Sequence, residues 1–246
     1  MRPLSSHVNP RLDLGFFSSL PEGVQRANPY YWFMRQFLQA TVTMLWKVRV
    51  FDRYHEPPEG GAVYICNHQS FLDPIVMSFA LRRPMNYMAR ESLFHFRPFG
   101  CLIRRFNAFP VKRGTADLGA IKEAMRRLKA GSQVVVFAEG TRTLDGRIGP
   151  FLPGVAVLAQ RAAAWTVPVV IDGAFEAWPR WRAIPSPGSV VVRYAPPIPQ
   201  REASAMSAEE LTNRVRNVLI DMQRDIRRRV GRPELKYEEI RMKKFE

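Results

Sequence analysis

A chain of 246 residues with 46% hydrophobic and 11% aromatic residues has the material for one or two folded domains with a sizeable core. Its 37 Lys and Arg against 22 Asp and Glu give a formal charge of +15, which points to an anionic partner without choosing between nucleic acid, anionic membrane and phosphorylated substrate. Two cysteines, Cys66 and Cys101, with no CxxC or Cys/His spacing, exclude a disulfide framework and a Cys-based metal site, and read as reduced cytosolic thiols.

The first 23 residues, MRPLSSHVNPRLDLGFFSSLPEG, lack the apolar core of a signal peptide, and no run approaches the ~18 to 20 apolar residues of a spanning helix. The chain is therefore expected neither to be exported nor to cross a bilayer. NPYYWFMRQFLQATVTMLWKVRV (28–50) has helical periodicity: Tyr30, Phe33, Met34, Phe37, Thr41, Met44, Leu45 and Val48 share one face, and Arg35, Gln39 and Thr43 another. It reads either as a helix in the membrane interface, with Trp32, Trp46 and the Tyr pair at the headgroup boundary, or as a helix packed on the core.

From residue 60 onward strands and helices alternate. GGAVYIC (60–66) is a buried-strand pattern, DPIVMSFAL (73–81) a helix started by Asp73 and Pro74, MNYMAR (85–90) a strand, and ESLFHFRPFGCLIRRF (91–106) a broken helix. NAFPVKRG is a loop or strand end, residues 116–131 a helix stopped by Gly131, and QVVVFAEG (133–140) a strand buried on both faces. Residues 153–164, 166–173 and 188–194 continue as helix, strand and strand, and 207–230 closes as a helix whose Ser207 and Glu210 form a capping box. The alternation predicts an α/β fold with a largely parallel central sheet flanked by helices, preceded by an N-terminal amphipathic helical segment. The implied division is 1–55 for that segment and 56–246 for the α/β domain.

Chemistry concentrates after three strands. In ICNHQSFLDP, His68 follows an apolar strand directly and Asp73 opens the next helix five residues on, at the strand end where open α/β sheets hold ligands. A carboxylate on one ring nitrogen fixes the tautomer and leaves the other nitrogen to take a proton from a hydroxyl. No serine or cysteine completes a triad, so the hydroxyl to be activated belongs to a substrate. The alternative is an Asp that only caps a helix beside a polar turn residue. FAEGTRT places Glu139, Gly140, Thr141 and Arg142 after a second strand, and FPVKR places Lys112 and Arg113 after a third; arginines there suit a phosphate, which guanidinium grips in a bidentate fork.

These blocks resemble those of the glycerolipid acyltransferase family, whose members include 1-acyl-sn-glycerol-3-phosphate acyltransferases: NHQSFLD its NHxxxxD block, FPVKR its second, FAEGTRT its EGTR block, and TVPVVIDG a fourth. The order agrees across about residues 62 to 175. The resemblance implies transfer of a fatty acyl group from a thioester of coenzyme A or acyl carrier protein to the sn-2 hydroxyl of 1-acyl-sn-glycerol 3-phosphate, giving phosphatidic acid, with no further cofactor and no metal. His68 would be the general base and Asp73 its orienting partner. Arg113, Glu139, Gly140, Thr141 and Arg142 would bind the glycerol phosphate. Three departures, Asn107 for a frequent Gly, Ile171 for a second proline and LPG (152–154) for a basic residue, leave the acceptor open to glycerol 3-phosphate or another lysolipid.

The implied setting is an anionic membrane surface on the cytoplasmic face of the cell membrane, reached as a peripheral or monotopic protein. Basic residues near the C-terminus, such as Arg227, Arg228 and Lys243, are diluted by Asp225, Glu238 and Glu239 and read as solvated faces. Nucleic acid is not an expected partner, because no recognisable module accompanies the charge.

Overall fold

In the computed structural model, residues 29–79, 81–112 and 117–237 are described. Helix α1 (Pro29–Leu45) leads directly into strand β1 (Trp46–Phe51). Strand β2 (Ala62–Cys66), the short helix α2 (Asp73–Met77), β3 (Met85–Arg90), α3 (Arg97–Arg105) and β4 (Ala108–Val111) follow. Then come α4 (Leu118–Lys129), β5 (Gln133–Phe137), α5 (Gly154–Arg161), β6 (Trp165–Asp172) and α6 (Ala174–Ala177). Strand β7 (Gly188–Tyr194), β8 (Ile198–Pro199), α7 (Gln200–Ser204) and α8 (Ala208–Arg229) complete the order.

One sheet runs β1-β7-β6-β2-β5-β3-β4, with β8 paired to β6. The expected α/β architecture is present: β2, β3, β4, β5 and β6 are parallel, and β1 and β7 run together in the opposite sense, joined through the antiparallel β6–β7 pair. Alternate side chains of the central strands feed two cores, as the pleat requires. Val63, Ile65, Val134 and Val136 pack with α4, α5 and α8 on one face, while Ala62, Tyr64, Cys66 and Val135 pack with α1 and α2 on the other. The edges are blunted against further pairing: β1 carries exposed Lys47 and Arg49, and β4 carries Pro110.

The first segment departs from expectation in two ways. The helix expected over 28–50 stops at Leu45, and Trp46–Phe51 is an edge strand in parallel register with β7, Trp46 opposite Gly188. In WKVRVF apolar and basic residues alternate, a period of two that a helix cannot use and a half-buried strand can. This strand lies before residue 55, so the sheet begins inside the segment expected to stand apart.

The second departure is the face that α1 buries. Its buried residues are Tyr31, Arg35 and Val42, with Gln39 partly covered, whereas Phe33 is 69% exposed, Met44 is 87% exposed, and Phe37 and Leu45 are exposed too. Arg35 donates to the carbonyls of Ser78 and Leu81, and Gln39 Nε2 to Phe79 O at 3.2 Å. These carbonyls follow α2, where no continuing helix can use them. The Tyr31 hydroxyl accepts from Met85 N at 3.2 Å, and Trp46 Nε1 donates to Ser186 O at 2.7 Å, so two residues expected at a headgroup boundary are core. The helix docks through Tyr31, Arg35, Gln39 and Val42, and Phe33, Phe37, Met44 and Leu45 are turned outward.

This inversion makes a measurable difference between the two faces. Arg35→Leu should lower the free energy of unfolding by about 1 to 3 kcal/mol, because two carbonyls lose a charged donor in a buried setting. Phe33→Ser should leave it nearly unchanged. Urea denaturation of the two variants, followed by circular dichroism, checks both.

Candidate active site

The carboxyl ends of β2, β5 and β6 lie side by side, Cys66 being in register with Phe137 and with Val169. Just past Cys66, Asn67 stitches the turn to β6: its Nδ2 donates to Ile171 O at 2.9 Å and its Oδ1 accepts from Ile171 N at 2.8 Å. His68 follows, 7% exposed, with its ring stacked on Phe137 at a centroid distance of 4.1 Å and an interplanar angle of 18°. Its Nδ1 lies 2.7 Å from Asp73 Oδ2.

That same carboxylate oxygen accepts from Gln69 N at 2.6 Å and Ser70 N at 2.8 Å. Asp73 therefore shapes the backbone of the turn and orients the ring in one stroke. With Nδ1–H directed at a carboxylate, the imidazole presents Nε2 as its proton acceptor. Cys66 offers no rival nucleophile, since burial pushes its thiol well above the usual range, with the charges of Asp73 and Glu139 adding to the shift.

The loop after β5 closes around this turn. Glu139 accepts from His68 N at 3.0 Å through Oε1 and from Gly149 N at 3.0 Å through Oε2, so both oxygens are taken by the main chain. Thr143 N donates to His68 O at 2.8 Å. Gly140 has φ of +69°, a backbone angle that favours glycine, and a Cβ there would also press on the tip of the exposed Leu152 side chain. Thr141 is exposed on the loop, and the guanidinium carbon of Arg142 stands 3.6 Å from the centroid of the Phe71 ring, which packs on Trp178 at 5.2 Å.

The far side of the loop is held by the C-terminal helix. Gly146 O accepts from both Gln69 Nε2 at 3.0 Å and Gln223 Nε2 at 3.1 Å. The Tyr237 hydroxyl accepts from Ile148 N at 2.9 Å and donates to Gln223 Oε1. Gln223 also reaches buried Asp172, the last residue of β6, which pairs with Arg227 at 2.9 Å and Arg232 at 2.6 Å.

The fold thus gathers His68, Asp73, Glu139, Gly140 and Arg142 around one turn, with Thr141 alongside. Arg113 lies outside the described residues. Lys112 stands at the end of β4, its main-chain N donating to Asp117 Oδ2 at 2.8 Å. Glu139, expected among the phosphate-binding groups, is directed at the backbone of His68. Residues that sequence reasoning passed over are Asn67, Gln69, Phe71, Phe137 and Gln223. Asn67, a polar residue ending a buried run, carried a signal in the sequence; Gln223, far along the chain in an amphipathic helix, carried none. Asn107 adopts φ of +60°, which explains how it stands where Gly is frequent.

The model of the acyltransferase family matches residues 47–172, a span that holds the NHQSFLD turn, FPVKR and FAEGTRT. The chain belongs to the acyltransferase family. Among its relatives, a 1-acyl-sn-glycerol-3-phosphate acyltransferase of Bacillus subtilis is 30% identical over 144 residues, covering 58% of this chain and 71% of that protein. A chloroplast 1-acyl-sn-glycerol-3-phosphate acyltransferase of Arabidopsis thaliana is 33% identical over 114 residues, covering 46% of this chain and 32% of its own length. The crystal structure of a 1-acyl-sn-glycerophosphate acyltransferase from Thermotoga maritima superimposes with a TM-score of 0.69 at 25% identity, over 80% of this chain and 79% of that one. The protein is an acyltransferase with the fold of that structure.

Burial raises the Glu139 carboxyl from 4.5 to about 7, against the lowering effect of its two backbone hydrogen bonds. Between those values the folded acyltransferase keeps a proton that the unfolded chain has released. The resulting stabilisation is complete below pH 4.5 and is lost as pH rises through about 7. The difference in unfolding free energy between wild type and Glu139→Gln should therefore shift in favour of wild type as pH falls through this window, by at most about 1.4 kcal/mol per pH unit. Denaturant titrations at several pH values measure it; a difference that does not move with pH would contradict the raised carboxyl.

Proposed function

We propose that this acyltransferase transfers a fatty acyl group from an acyl thioester, on coenzyme A or acyl carrier protein, to the sn-2 hydroxyl of 1-acyl-sn-glycerol 3-phosphate, forming phosphatidic acid. The observation that carries the reading is the His68–Asp73 contact at 2.7 Å, at the carboxyl edge of the sheet and, among the described residues, with no serine or cysteine bonded to the ring. The names borne by the relatives favour the acceptor.

In the proposed reaction, His68 Nε2 takes the proton of the acceptor hydroxyl as its oxygen attacks the thioester carbon. Asp73 holds Nδ1–H and stabilises the imidazolium that forms. Collapse of the tetrahedral intermediate breaks the carbon–sulfur bond, and the imidazolium returns its proton to the departing thiolate. Ester and thiol are the products, and His68 ends neutral as it began. No acyl-enzyme is required.

Arg142, held over Phe71, and Arg113 are the proposed phosphate ligands, with Gly140 and Thr141 letting the acceptor approach the loop. Glu139 acts beside them by fixing the main chain of His68. The outward aromatic face of α1 and the charge of +15 support docking on an anionic membrane surface, approached from the cytoplasm. No helix among the described residues is long and apolar enough to cross a membrane, which suits a peripheral or monotopic attachment.

Purified protein given labelled acyl thioesters and a panel of acceptors should acylate 1-acyl-sn-glycerol 3-phosphate in preference to glycerol 3-phosphate and to neutral lysolipids. Preference for another acceptor would replace this reading. His68→Ala should abolish most turnover with the fold intact, and Asp73→Asn should lower kcat by roughly 10³ to 10⁴ by favouring the wrong tautomer. Arg142→Ala should chiefly raise the acceptor KM, by the ~1.5 to 3 kcal/mol of a hydrogen bond to a charged group. Steady-state kinetics with the acceptor varied separates these effects.

A further inference from the structure

Because β1 and β7 run against β2, the junction of α1 with β1 arrives at the same edge of the sheet as the His68 turn. The exposed ends Met44 and Leu45 therefore lie on the rim where the site opens. The connection from α6 to β7, Trp178–Pro187, rises from that rim as well. It carries Trp181, 61% exposed, and Ile184, 77% exposed, with Arg180 and Arg182 also exposed. Nothing in the proposed chemistry uses these side chains.

This connection is fastened at its base rather than loose. Trp178 O accepts from Ser70 Oγ at 2.8 Å, and the Trp178 ring packs on Phe71, both within the turn that holds His68. Trp178 Nε1 donates to Arg182 O at 2.9 Å, Arg182 donates to Ser186 Oγ at 2.7 Å, and Ser186 N donates to Ala177 O at 2.8 Å. Ser186 O takes the Trp46 indole at 2.7 Å, which joins the connection to the end of α1. Trp181 leans edge-on against Phe175 with centroids 5.4 Å apart. A braced projection that holds an indole and an isoleucine in water is unfavourable unless something covers its tip.

The covering surface is identified by its chemistry. WPRWRAIPSP contains two arginines and no acid, and it alternates them with an indole and an aliphatic side chain. Indole favours the headgroup boundary, and arginine favours lipid phosphate. A docked helix alone also leaves rotation about its own axis unrestrained. A second contact, off that axis and tied to the catalytic turn, removes the freedom.

We propose that Trp178–Pro187 is a second docking element, seated on the surface of an anionic phospholipid bilayer, which together with α1 fixes the tilt of the enzyme so that the His68 turn faces the lipid. The inference rests on the reading in which the acceptor is a membrane amphiphile. Flotation of the full chain on vesicles of phosphatidylglycerol and phosphatidylcholine tests it, with Trp181→Ser/Ile184→Ser compared against wild type and against Phe33→Ser/Phe37→Ser. The loop variant should lower partitioning, and turnover of a vesicle-embedded acceptor, about tenfold, while its melting temperature and its turnover of a detergent-dispersed acceptor stay at wild-type values. Release by the α1 variant with full retention of the loop variant would overturn the second element and leave membrane docking standing. Wild-type protein that does not float at all would overturn docking itself. Equal losses on vesicle and detergent substrates would place the loop in the acceptor site and overturn the inference as well.

Discussion

Asp73 Oδ2 is the constraint on which the candidate site depends. One carboxylate oxygen, at the first residue of α2, gathers the amides of Gln69 and Ser70 and the Nδ1 of His68. Without the two amide bonds the chain between β2 and α2 has no reason to curl, and without the curl the imidazole has no reason to lie on Phe137. The cost of burying this carboxylate is offset at Oδ2 by three donors that replace lost water, and by its place at a helix start. Backbone shape and ring orientation thus share one cause.

The sheet determines where that turn can act. Cys66 and Phe137 end β2 and β5 in register with each other and with Val169 near the end of β6, so the loops that follow these three adjacent parallel strands meet without long excursions. Gly140 makes the sharpest of these meetings possible, letting the loop after β5 turn back so that Glu139 and Thr143 bracket the main chain of His68 from donor and acceptor sides. The reversed pair β1 and β7 then brings the end of α1, with exposed Met44 and Leu45, to the same edge as the candidate site.

Much of this was legible in the sequence because it is local. The strand ending at Cys66, the His68–Asp73 spacing and the FAEGTRT loop each declare themselves within ten residues, by an apolar run that stops at a polar cluster. The failures came where a distant partner decides. Arg35 looked like part of a solvated stripe, and only the carbonyls left over after α2, more than forty residues on, make it a core residue. The alternation in WKVRVF was visible, but a strong helical pattern upstream masked it until β7 was there to pair. Glu139 was grouped with Arg142 by adjacency, whereas its two carboxylate oxygens are taken by the amides of His68 and Gly149.

The hold of α8 and the segment after it on the loop around Gly146 also has a consequence for synthesis. The turn that carries His68 takes its bonds from the loop after β5, from β6 and from Trp178, all made before α8, whereas Gln223 and Tyr237 are made more than seventy residues after Gly146. Throughout that interval the loop bearing Arg142 lacks the bonds from Gln223 and Tyr237, and α8 has yet to cover the β6 core. A nascent chain can therefore hold the His68–Asp73 contact before the loop bearing Arg142 is held from its far side. The last bonds around the candidate site are thus the ones made latest in synthesis.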